Sequence, residues 1–132
     1  MKKKYSLDNL DSLTFTIKKP SIVFLYWDLG AGKTTLTQYL IRKVLWDNEI
    51  QITSPTYVYY NKYDEVYHFD LYRLENYDEF ISIWGEEVFD NKQWIIFVEW
   101  PQILEHNYAP DYKIFLEKTD SEKERIIRIE SN

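Results

Sequence analysis

The chain has 132 residues, 45% hydrophobic and 29% charged, with a net charge of −6. That suits one soluble domain with a single core and, lacking any long uncharged apolar stretch, excludes a helical membrane span. Cysteine is absent, which rules out disulfides and thiolate-bound metal and fits a reducing cytoplasm.

The acidic balance weighs against an independent grip on DNA or RNA, because such binding draws its affinity from a basic surface that neutralises phosphate. The only basic cluster is Lys2, Lys3 and Lys4. No apolar stretch follows it, so the start does not read as a secretory signal. The 18% aromatic content is assigned to core and strand faces rather than to base stacking.

In chain order, TFTIKK (14–19) alternates and is expected to be a strand. SIVFLY, after Pro20, is a continuous apolar run of the kind buried on both faces of a parallel sheet. From Lys33 the pattern becomes helical, with Leu36, Leu40 and Val44 four residues apart and Ile41 and Leu45 widening the face. QITSPTYVYYNKY reads as a strand or hairpin region broken at Ser54-Pro55. VYHFDLYRL reads as a strand ending near Asp70, ENYDEFISI as a short helix, and WIIFVEW as a second buried strand stopped by Pro101. YKIFLEK and RIIRIES close the chain as a hairpin. With no repeat or linker, the expectation is a single α/β domain over residues 1–132, a mixed, largely parallel sheet flanked by helices.

The segment YWDLGAGKTT (26–35) carries most of the phosphate-loop pattern G-x-x-x-x-G-K-[ST] between a buried strand and a helix. Gly30 and Gly32 let the backbone approach a phosphate closely, and the helix that follows turns its positive end toward it. Lys33 reaches the β- and γ-phosphates as a point charge, and Thr34 offers a hydroxyl to Mg²⁺. Glu99, at the end of WIIFV, supplies a carboxylate where open α/β sheets bind ligands. It can hold Mg²⁺ directly or through water, or polarise an attacking water.

DLGAGKTT, SPTYVYYNKY, HFDLYRL, GEE and VEWPQ follow one another in this order. Together they resemble the TsaE (YjeE) family, the small P-loop ATPases of bacterial threonylcarbamoyladenosine synthesis, over about residues 22–101. The resemblance implies a P-loop NTPase-like fold that binds ATP or ADP with Mg²⁺. It also implies action with TsaB and TsaD in modifying tRNA, with tRNA contacted only indirectly and no part for DNA or a membrane. By matching position, Asp28, Leu29, Gly30, Ala31, Gly32, Lys33, Thr34 and Thr35 form the phosphate loop. Thr34 and Glu99 hold the metal. Thr56 sits in a switch-like segment that senses the γ-phosphate, and Asp70 positions water or joins the metal shell. Trp100 contacts nucleotide or partner, and Arg125 lies near the base. His68 is read first as a strand histidine, and Arg73 as a partner of Glu75 or Asp70 as readily as a functional group. The family's helix ahead of the first buried strand is short here, with Ser6 and Asn9 as its polar candidates. Two other functions share these features: a nucleotide-dependent interaction module without hydrolysis, and a small metabolite kinase. The kinase lacks an arginine-rich lid segment.

Trp27 stands where the loop pattern has its first glycine. Trp46 follows a helix, where a glycine cap is expected, and Trp94 opens a strand after a polar turn. The chain has five tryptophans and three glycines, against about nine glycines at average usage. Two readings stay open: genuine substitution, or UGA codons, which some bacteria read as glycine and other codes read as tryptophan. Trp84, beside Gly85, is ambiguous, and Trp100 matches the family as tryptophan.

Overall fold

A computed structural model describes residues 1–13, 16–27, 33–55, 57–90 and 95–132, with all their side chains except those of Ser12, Lys33 and Thr34. The strands are β1 (Lys2–Ser6), β2 (Ser21–Trp27), β3 (Tyr60–Tyr63), β4 (Val66–Asp70), β5 (Ile95–Glu99), β6 (Tyr112–Lys118) and β7 (Glu124–Ser131). The helices are α1 (Lys33–Leu45), α2 (Tyr77–Ser82) and α3 (Gly85–Asp90), with short 3₁₀ turns at Leu10–Ser12 and Pro101–Leu104.

The seven strands form one sheet in the order β1-β7-β6-β2-β5-β4-β3. β6, β2, β5 and β4 are mutually parallel, while β7 and β3 run against their neighbours and β1 runs against β7. Five strands therefore share one direction, in keeping with the mixed, largely parallel sheet expected from the sequence.

Alternation along each strand divides the apolar residues between two faces. Val23 and Leu25 of β2, with Val66, Ile95, Phe97 and Ile114, meet Leu36, Leu40 and Ile41 of α1. Phe24, Phe69, Ile96 and Val98 meet Phe80 of α2 and Val88 and Phe89 of α3 on the opposite face. The continuous apolar runs of β2 and β5 follow from this, since helices cover both sides.

Local chemistry sets the helix ends. Asn76 caps α2 by accepting from the Glu79 amide at 3.0 Å, and the Glu79 carboxylate reaches back to the Glu75 amide at 2.7 Å. At the α2–α3 corner, a Cβ on Gly85 would fall 2.4 Å from the Phe80 ring, so glycine is needed for that approach. At the end of α1 the Asp47 amide bonds the Arg42 carbonyl (3.1 Å) and the Trp46 amide bonds the Lys43 carbonyl (3.3 Å). This is the Schellman pattern, and its left-handed residue is Trp46, at φ 56°.

The structure departs from the sequence reading at four places. Thr16–Lys19 do not form a strand, and residues 51–55 precede the hairpin as irregular chain, the first strand of that hairpin starting only at Tyr60. The lysine cluster is itself strand β1, paired with β7, and α3 was not anticipated. In β1 the pattern is hidden because the strand is an edge and only Tyr5 is buried.

A left-handed conformation costs an L-residue about 1–2 kcal/mol and glycine nothing. Trp46 is 92% exposed, so its indole recovers little of that through burial. Trp46→Gly is expected to stabilise the fold by about 1 kcal/mol, read as a rise in the urea midpoint with unchanged slope; a fall in the midpoint would contradict the cap assignment.

Candidate functional site

β2, β5 and β4 end side by side. Leu25 pairs with Glu99, and Glu99 pairs with Asp70, so the three residues form one row at the carboxyl ends of parallel strands. Alternation turns His68, Asp70, Glu99 and Trp27 to the α1 face, at the end where β2 leads toward the start of α1. His68, Asp70 and Glu99 are each only 4% exposed.

His68 lies one step back from this row on β4, opposite Phe97. Its Nε2 makes a short hydrogen bond to Glu99 Oε2. With the proton on Nε2 the imidazole donates to the carboxylate and fixes its rotamer. Nδ1, buried and without a hydrogen-bond partner among the described residues, is then an acceptor rather than a stranded donor. Asp70 is held from two sides: its amide donates to the Tyr59 carbonyl at 2.9 Å, and its Oδ1 accepts from the Tyr72 amide at 3.0 Å. The second bond closes a local Asx turn that ends β4. The Leu71 amide donates to the Glu99 carbonyl at 3.1 Å, so β4 and β5 stay tied beyond the last strand residue.

The other residues singled out in the sequence distribute as follows. Asp28, Leu29, Gly30, Ala31, Gly32 and Thr56, and the side chains of Lys33 and Thr34, lie outside the described residues, as does Trp94. Thr35 is exposed on the first turn of α1, at a groove of about 640 Å³ lined also by Leu10, Asp11, Gln38, Tyr39 and Arg42. The Tyr39 hydroxyl is pushed above its ordinary range by burial and then by Asp11 beside it. Trp100 follows Glu99 in the left-handed region (φ 56°), half-buried, with its ring 5.0 Å from that of Tyr72. Arg125 is buried on β7 at the same end of the sheet. Its Nη1 donates to the carbonyls of Glu122 (2.9 Å) and Glu124 (2.8 Å) in its own hairpin. Arg73 stacks its guanidinium over Tyr57, 5.1 Å from the centroid.

The bond from His68 to Glu99 is what sequence reasoning missed. A register between β4 and β5 would have revealed it, since it makes residues 68 and 99 diagonal neighbours on one face. Among the described residues no group of three or more histidine, aspartate or glutamate side chains is arranged to hold a metal. The pair of carboxylates at Asp70 and Glu99 does fit a hard cation that keeps its waters and takes one or two protein oxygens, as Mg²⁺ does.

A mixed sheet covered by helices on both faces, with a phosphate-loop sequence after its central strand and two carboxylates beside it, defines a P-loop-type nucleotide-binding fold. The model of the family "Threonylcarbamoyl adenosine biosynthesis protein TsaE" matches residues 3–127, and the chain belongs to that family. Curated relatives called tRNA threonylcarbamoyladenosine biosynthesis protein TsaE include one from Rickettsia conorii, 34% identical over 116 residues, covering 84% of this chain and 65% of that protein. Another, from Synechocystis, is 41% identical over 91 residues, covering 64% of this chain and 56% of its own length. The chain thus spans about two thirds or less of these relatives. A crystal structure of Bacillus subtilis YdiB superposes with a TM-score of 0.58 over 96% of this chain and 83% of that one, at 23% identity, which supports the fold.

Removing His68 would leave the Glu99 carboxylate buried without this donor. His68→Ala is expected to cost about 2–4 kcal/mol in urea unfolding at neutral pH. A double-mutant cycle with Glu99→Gln should give a coupling above about 0.5 kcal/mol; strict additivity would mean the two side chains do not act as a pair.

Proposed function

We propose that this protein is a Mg²⁺-dependent ATP-binding and ATP-hydrolysing subunit of tRNA threonylcarbamoyladenosine synthesis, acting in the cytoplasm with TsaB and TsaD as protein partners and reaching tRNA only through them. The observation that carries the reading is the row Leu25–Glu99–Asp70, which brings two buried carboxylates level with the end of the strand that runs into the phosphate-loop sequence.

In this reading residues 28–33 supply backbone donors to the phosphates, and Lys33 adds a positive charge at the β- and γ-positions. Thr34 and Glu99 hold Mg²⁺, which when bound neutralises charge on the transferring phosphoryl group. His68 keeps Glu99 in one rotamer, so the carboxylate loses little freedom when it engages. Asp70, fixed by the Tyr59 carbonyl and the Tyr72 amide, orients water. Thr56 senses the γ-phosphate. The groove beside Thr35 offers room for the base or ribose. Arg125 stands near the base side and Trp100 at the rim, toward nucleotide or partner. Hydrolysis by the isolated protein is slow, because small P-loop proteins often need a partner to complete the site. The acidic surface, at net charge −6, suits a protein partner better than a polyanion.

Calorimetry with Mg-ADP tests this. Binding is expected, with loss of about tenfold or more in affinity for Lys33→Ala, and a weaker Mg²⁺ dependence for Glu99→Gln. ATP turnover should rise when TsaB and TsaD are added. Binding without any such rise would leave an interaction module; no Mg-ADP binding by any form of the chain would remove the nucleotide reading.

A further inference from the structure

Among the described residues, five other than glycine have φ in the left-handed region: Trp46 (56°), Tyr59 (71°), Asp64 (56°), Trp84 (67°) and Trp100 (56°). Three of them are tryptophan, a bulky aromatic for which this conformation is costly. Asp64 is the ordinary case, a short polar residue in the tight turn between β3 and β4.

Tyr59 and Trp100 recover the cost through contacts. Tyr59 is half-buried, packs against the α2–α3 side of the core, and its carbonyl holds the Asp70 amide. Trp100 is half-buried and lies against Tyr72. Trp46 and Trp84 have no comparable return. They are 92% and 67% exposed, and neither ring contacts another aromatic ring among the described residues. Trp46 occupies the residue of a Schellman cap where glycine is most favoured. Trp84 turns the chain between α2 and α3, bonding the Ile81 carbonyl through its amide at 3.0 Å. A single aromatic side chain left exposed in the left-handed region needs a local cause, and two at two separate corners call for a common one.

Trp27 is a different case, buried at the end of β2, and its warrant is the loop pattern. It stands at the one phosphate-loop position that departs from the pattern. Its indole is buried at the α1 face.

We propose that residues 27, 46 and 84 are glycine in the protein its own cell makes, encoded by UGA read as glycine, and that the phosphate-loop pattern of that protein is complete over residues 27–34. Residue 100 remains tryptophan. The assignments at 46 and 84 stand on backbone conformation and exposure alone. The functional consequence at 27 rests on the nucleotide reading above. Glycine at 27 would supply the residue that the phosphate-loop pattern has at its first position.

The test is peptide mass spectrometry of the protein purified from its own cells, alongside the codons at the four positions. Glycine from UGA at 27, 46 and 84, with tryptophan from UGG at 100, is the expected result. UGG at any of the first three, or glycine at 100, overturns the proposal. Mg-ADP calorimetry on the chain as written and on Trp27→Gly separates this from the nucleotide reading. The glycine form is expected to bind about tenfold or more tightly. Glycine at 27 with no Mg-ADP binding would sink the nucleotide reading and leave the codon assignment standing. Tryptophan at 27 with full Mg-ADP binding would do the reverse.

Discussion

The register between β2, β5 and β4 is the constraint on which the candidate site depends. In a parallel pair each residue has a fixed neighbour, and a slip of one position turns a whole strand's side chains to the other face. Here the register sets Leu25, Glu99 and Asp70 in one row and brings His68 diagonally against Glu99. A slip would exchange Glu99 for Val98 on the α1 face and send a carboxylate into the aromatic cluster opposite. The apolar alternation that builds the core therefore also aims the charges. Packing that fixes Val98 and Phe69 against Phe80 and Phe89 fixes the carboxylates on the other side of the sheet.

The two faces divide the work. Behind the row, Phe69, Phe80, Phe89 and Tyr108 form a closed set of ring contacts, with centroids 4.7 to 6.2 Å apart. Its three phenylalanines are buried, with Tyr108 at the edge. In front, α1 covers the sheet with aliphatic residues and leaves its first turn near the polar row. Glu99 thus has a packed core behind its strand and a directed donor in His68, which keeps the cost of ordering it small when a ligand arrives.

The central elements were legible because their patterns were long and strong. SIVFLY and IIFVE could hardly be anything other than strands covered on both sides, and Leu36, Leu40 and Ile41 mark one helix face. The edges were not. β1 has one buried residue among its five, too few for any period to show. TFTIKK alternates convincingly, yet its described part, from Thr16, packs as irregular chain, since alternation records only a fit to a surface. Glu99 could be named from its place at a strand end. Its bond to His68 could not, because no local feature encodes which residue of one parallel strand lies beside which of the next. The tryptophans are a different case. Their number was visible at once, but only exposure and ring contact separate Trp46 and Trp84, which share a left-handed backbone with Trp100 yet give little back, from Trp100 itself.

The pairing of β1 with β7 also bears on the order in which the molecule assembles. The amide of Ile129 bonds the carbonyl of Met1, and the amide of Leu7 bonds the carbonyl of Lys123. Closing so long a loop is entropically costly and contributes no early contact. During synthesis β2, β4 and β5 can associate once residue 99 has emerged, while the other edge of β2 waits for β6 and β1 waits longer still for β7. For that interval the strand leading into the phosphate-loop sequence has one side of its backbone bare. The hairpin of β6 and β7 is then both the last piece of the sheet and the cover for its most central strand, so a ribosome paused before residue 112 would hold a nascent chain with an open, apolar edge.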